Sequence, residues 1–162
     1  MANTQAMCTS FLGELMTATH NFTTGTGNTF KAALYVATAN TSSSTTLCAS
    51  VTAYATTVNT IPEVSGTNYT PGGVTVTNGT SPASTNSSTT AGVGYWTPSA
   101  SITYSNVTLT TPFDCVLIYN SSASDKAVSV HTFGSQTVTA GTFTLTMPSN
   151  TTSTALIRLS TT

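Results

Sequence analysis

Beyond residue 29, apolar and polar side chains alternate with a period of two in short runs. No other feature constrains the fold of this chain as tightly. Phe30, Ala32, Leu34 and Val36 alternate with Lys31, Ala33 and Tyr35, which predicts a half-buried strand. Phe143, Leu145 and Met147 alternate with Thr142, Thr144 and Thr146, giving one apolar face and one hydroxyl face. Further strands are expected at 74–77, 95–96, 101–108, 113–119, 127–133 and 155–159. Gly, Pro, Asn and Ser punctuate the gaps between them, and Asn78-Gly79 carries a hairpin signal. Many short strands at this spacing predict an all-β antiparallel sandwich, with the jelly roll as one variant. The Ser/Thr-rich segments 40–60 and 80–92 read as loops.

The period differs only at the start. Met7, Phe11, Leu15, Ala18 and Phe22 recur every three or four residues, with Leu12 and Met16 widening the stripe. This predicts a helix over 5–18, weakened at Gly13. The chain therefore divides into an N-terminal arm or helix, 1–28, and a single β-sandwich domain, 29–162.

Charge decides which partners such a domain can have. Three Lys and Arg and four Asp and Glu are all the charged residues in 162, and Ser and Thr exceed a third of the chain. Three cations cannot neutralise a run of phosphates, so nucleic acid is excluded as a partner. They cannot hold the protein to an anionic membrane either, and no apolar run is long enough to span one. The N-terminus lacks the basic and apolar regions of a secretory signal. Cys8, Cys48 and Cys115 are odd in number and lack CxxC spacing, which argues against a disulfide framework or a zinc site. Cys115, inside an apolar run, reads as a buried thiol. These features fit a protein made in a reducing cytoplasm. The eight Asn-x-Ser/Thr triplets follow from the Ser and Thr content and need not be glycan acceptors.

Catalytic patterns are missing as well. There is no Gly-x-Ser-x-Gly elbow around a nucleophile. The acids at 14, 63, 114 and 125 show no pairing for glycoside chemistry. His20 and His131 read as structural histidines, and Gly25-Thr26-Gly27 lacks the lysine of a phosphate loop. No enzyme activity, cofactor or metal is expected. Candidate sites are instead surfaces. The helix stripe Phe11, Leu15, Met16 and Phe22, with Met7, is either core packing or an arm that docks on a partner. Arg158 is a candidate interface anchor. Tyr95 and Trp96 form a core or rim aromatic pair, or an exposed platform for a sugar.

Sandwich edges expose unpaired backbone groups, which proteins commonly shield with Lys or Pro. With so few charges, neighbouring copies or a larger scaffold are expected to cover the edges here. The chain is therefore expected to be an assembly subunit.

Several segments also carry a resemblance. Met7-Cys8-Thr9-Ser10-Phe11 with Glu14-Leu15 and His20-Asn21-Phe22 opens it, followed by Thr29-Phe30-Lys31-Ala32-Ala33-Leu34-Tyr35. Glu63-Val64-Ser65-Gly66-Thr67 with Tyr69 and Gly72-Gly73, and Val116-Leu117-Ile118-Tyr119-Asn120-Ser121 with Lys126, continue it. Phe133-Gly134, Gly141-Thr142-Phe143 and Ala155-Leu156-Ile157-Arg158 close it. Together these resemble a small family of β-rich structural proteins of tailed-bacteriophage virions. The Ser/Thr-rich inserts and the scarcity of acids depart from that pattern. The resemblance implies a virion structural protein of unassigned detailed role, and the expectation put first is a capsid decoration, or cement, protein on the virion surface. Its partners would be the major capsid protein, copies of itself as a dimer or trimer, or both. A tail, neck or fibre subunit is the alternative, and a receptor- or carbohydrate-binding module a third.

Overall fold

The computed structural model describes residues 2–40, 46–85 and 91–161. In chain order its elements are β1 (Ala6–Met7), α1 (Thr9–Met16), β2 (Phe30–Val36), a 3-10 turn (Thr38–Asn40), β3 (Thr57–Val58) and β4 (Ile61–Pro62). They continue with β5 (Val74–Thr75), β6 (Ala83–Ser84), β7 (Val93–Trp96), β8 (Ile102–Asn120), β9 (Lys126–Leu145) and β10 (Ile157–Ser160). A five-stranded antiparallel sheet runs β1-β9-β8-β2-β5, a three-stranded sheet β10-β7-β6, and β3-β4 is a separate ribbon. The fold is all-β apart from one short helix, as the alternation predicts. These pairings give an antiparallel, sandwich-like architecture without establishing jelly-roll connectivity.

The large sheet is built on the β8–β9 hairpin. Four strands expected from the sequence are two in the structure. The gap expected after residue 108 is an irregularity within β8, where the register shifts on both sides of Phe113. Pro112 has no N–H to give the ladder, so a break in regular pairing suits it. Its carbonyl accepts the Ala37 N–H at 2.9 Å. The gap expected at Ala140-Gly141 is likewise a distortion within β9. Ala140 has φ 46° and donates its N–H to Thr108 Oγ1 at 3.0 Å. The expected turn at 120–125 does form, with Ser124 and Asp125 left-handed at φ 52° and 57°.

The N-terminal segment departs from its expectation. The helix spans Thr9–Met16 instead of 5–18, because Ala6 and Met7 pair with Val130 and Ser129 at the edge of the main sheet. Cys8 is extended at its N-cap (φ −69°, ψ 135°), and its N–H continues the pairing to Val128 O. The segment from Ala6 to Phe22 thus packs on the sandwich through strand pairing and core contacts. Phe11 and Phe22 sit in the same apolar core as Phe30, Leu34, Phe113 and Val128. Asn78-Gly79 does not close a hairpin. The Asn78 side chain donates to Phe22 O and accepts from Trp96 Nε1, so this turn carries the chain from the large sheet toward the small one. Residues 41–45 and 86–90, expected as parts of the loops, lie outside the described residues.

One polar cluster explains the segment Glu63 to Gly73. Buried Glu63 accepts hydrogen bonds from Tyr69 Oη at 2.6 Å and Gly72 N at 2.8 Å on one oxygen, and from Tyr54 Oη at 2.8 Å on the other. Burial first, and the hydrogen bond to Glu63 second, push the Tyr69 and Tyr54 hydroxyls well above the ordinary tyrosine range. They stay protonated and serve as donors. Gly73 has φ +68°, and a Cβ there would lie 1.7 Å from Ala32 O. The segment is a clasp holding this loop against β2.

Candidate functional site

The helix and the small sheet enclose an apolar groove of about 410 Å³. Phe11 and Leu15 of α1 form one wall, and Tyr95, Ile157 and Leu159 of β7 and β10 line the other. The floor is an aromatic stack. Phe22 lies parallel to Phe30 at 4.3 Å and tilted against Trp96 at 4.7 Å. Phe11 meets Phe22 edge-on at 6.0 Å and His20 at 4.9 Å. Aromatic packing of this kind adds about 1 kcal/mol per pair beyond area burial, which makes the floor rigid.

A half-buried polar network fixes the rotation of α1. Glu14 contacts Lys126 Nζ at 2.6 Å and His20 Nε2 at 2.8 Å. The Asn120 amide nitrogen donates to His20 Nδ1 at 3.1 Å and to Asn28 Oδ1 at 2.9 Å. With Nδ1 accepting, the ring proton is on Nε2 and is given to Glu14. Burial of Glu14 works against its ionisation. Hydrogen bonds from Lys126 and His20 outweigh it and hold the carboxyl below its ordinary range. Glu14, His20, Asn120 and Lys126 together tie helix to hairpin.

With Glu14 turned inward, Leu12 and Met16 point to solvent one turn apart. They are 44% and 85% exposed. Leu159, on the opposite wall, is 39% exposed. Among the described residues these are all the large apolar side chains that are exposed; Leu12 and Met16 are on α1 outside the groove's lining, and Leu159 of β10 lines it.

The groove gathers most of the candidate residues. Phe11, Leu15, Phe22, Tyr95 and Trp96 line it, while Met16 is exposed on α1 outside its lining. Two expectations need correction. Trp96 is not an exposed aromatic but is 2% accessible, because its Nε1 donates to Asn78 Oδ1 and Thr80 O and its ring completes the floor. Phe11 and Phe22 are core residues that present only an edge to the groove, because burial on the aromatic stack outweighs exposure. Tyr95 is half-buried on the wall.

Met7 and Arg158 lie elsewhere, along a second cleft of about 400 Å³ that also holds Ser129 and His131. Ile157 lines both cavities. Arg158 is exposed and donates to Ser153 O at 2.7 Å. Ser129 Oγ is 2.8 Å from His131 Nε2. Burial lowers the His131 pKa to about 4, so the ring is neutral near pH 7. Among the described residues no carboxylate bonds its second nitrogen, so the orienting third member of a nucleophilic site is missing.

No family model, curated protein or solved structure matches this chain.

Among the described residues no three His, Cys, Asp or Glu side chains converge where they could hold a metal ion. Leu159 escaped the sequence reading, although alternation with Arg158 on the expected last strand placed it on the face of Ile157.

Proposed function

We propose that this protein is a non-enzymatic structural subunit of a bacteriophage virion, and specifically a decoration protein of the capsid. The carrying observation is that the exposed large apolar side chains among the described residues lie on α1 and β10, whose Phe11, Leu15, Ile157 and Leu159 line one groove with an aromatic floor. Such a concentration marks a protein-binding surface. Covering Leu12, Met16 and Leu159 contributes on the order of 1 to 2 kcal/mol each. That is weak for one contact and sufficient when many copies bind one lattice. The chain's near-absence of charge and the resemblance of its motif segments to phage virion proteins support the same reading. The groove is the face that docks on the major capsid protein, and the mechanism is mass action, since bound copies stabilise the shell they bridge.

The test is to separate heads from tails, count copies, and challenge docking with Met16→Glu. This position is solvent-exposed, so the fold survives the substitution. Hundreds of copies in the head fraction and a tenfold or greater loss of occupancy for the variant are expected. Six to eighteen copies in the tail fraction would replace this reading with a tail, neck or fibre subunit. A sugar platform is not proposed, because Trp96 offers no face to solvent.

A further inference from the structure

The edges of the large sheet are protected unequally. Outside β2, Val64 N bonds Leu34 O, and β5 pairs with Lys31 and Ala32. The distal part of β8 is covered by Thr67, which bridges Thr108. The first residues of β9 are covered by Thr52, Cys8 and β1, in turn, as far as Val130. The N-terminal segment then leaves this edge. Asn3 instead bonds Asp114 and Leu47, and Thr4 N bonds Leu47 O. From Phe133 to Leu145, β9 pairs with β8 alone. Among the described residues nothing covers its outer side along about 40 Å of strand.

What this edge accepts is set by its chemistry. Its free N–H and C=O groups bond an extended strand and nothing else as well. Its charge pattern selects which strand. From Ala127 to Ile157 there is no Asp, Glu, Lys or Arg. When an edge pairs antiparallel with its own copy across a two-fold axis, residues near the axis face themselves. Any charge there would meet its like, which is destabilising, whereas Thr opposite Thr is favourable. An edge meant for a foreign strand has no need of such neutrality. The usual guards, Lys and Pro, are absent from 133–145, and the strand is interrupted at Ala140 and by shifts of its register with β8 on both sides of Gln136.

We infer that the β9 edges of two copies pair antiparallel about a two-fold axis near Thr137, the middle of the mostly exposed run Gly134–Ala140. The pairing makes a continuous sheet through both copies. It is independent of the virion reading and uses a surface other than the groove. The contact is one ladder deep, so it is weak for free chains and reinforced on a scaffold that holds two copies side by side.

Charge swapping at Thr137 tests this, because its side chain is exposed and its replacement removes no core contact. Sedimentation equilibrium up to millimolar chain concentration is expected to show dimerisation. Thr137→Lys alone and Thr137→Glu alone should each weaken it about fivefold, and an equimolar mixture should restore it. Amide exchange along 134–140 should slow with concentration in the parent chain and not in either variant. A chain that stays monomeric with concentration-independent exchange overturns the inference. So does dimerisation that both variants leave unchanged. Dimerisation lost in Met16→Glu but kept in the Thr137 variants would assign the contact to the groove instead.

Discussion

At the scale of single residues, the few charged groups act mainly as internal fasteners. Glu63 accepts three hydrogen bonds in a buried site, so removing it strands two tyrosine hydroxyls and a backbone N–H. Glu63→Ala should cost about 3 kcal/mol, and Glu63→Gln, which keeps one acceptor, clearly less. Urea unfolding checks both, and equal losses would remove the clasp from the account. His131 makes a pH prediction. Burial lowers its pKa from the ordinary 6.5 to about 4, so the unfolded chain binds a proton more readily between those values. Stability is then full above about pH 6.5 and falls as the pH drops toward 4, by up to about 3 kcal/mol. The depressed Glu14 carboxyl adds a loss of the same sign at lower pH. Unfolding midpoints measured against pH should show the upper slope in the parent chain and not in His131→Gln.

At the scale of elements, α1 is short and poorly made. It has Gly13 in its interior and no side-chain hydrogen bond at its N-cap. Tertiary contacts through Phe11 and Glu14 hold it, not propensity. A Cβ at Gly13 would meet nothing within 4 Å. Gly13→Ala should therefore raise stability by 0.5 to about 1 kcal/mol, readable as a higher unfolding midpoint. The stripe Met7–Phe22 was legible, but which side of the helix faces the core was not. Both sides carry apolar residues, and only the partners of Glu14, Lys126 and His20, choose between them. The long strands were legible in pieces. Alternation revealed 101–108 and 113–119, while Pro112 and the threonines before it fell in the gap left between them. They pass through the sheet because Ala37, distant in sequence, bonds the Pro112 carbonyl.

At the scale of the molecule, the N-terminal segment and the sandwich are one body. β1 extends the large sheet, and Phe11 enters the common core. Deleting residues 1–20 should therefore abolish cooperative unfolding instead of merely releasing a docking arm. Near-ultraviolet circular dichroism of the truncated chain measures this, and a native-like spectrum would restore the arm. Met16→Glu is the cleaner probe of docking for that reason. The groove and the bare β9 edge lie on different sheets, so two contacts per copy are available, which suits a subunit that joins others into a layer.

By itself, the sequence determined the class of the fold, the hydroxyl and apolar faces of its strands, and the scarcity of charge on the chain. Those properties depend on period and composition, which are local and additive. Only the tertiary structure decided that Trp96 is interior, that Met16 is exposed and that Leu159 lines the groove. It also decided that β9 loses its cover beyond Val130. Each of these depends on contacts between segments far apart in the chain, such as Trp96 with Asn78, α1 with the β8–β9 turn, and Asn3 with Asp114. Pairwise geometry of that range leaves no periodic trace in either partner's own neighbourhood.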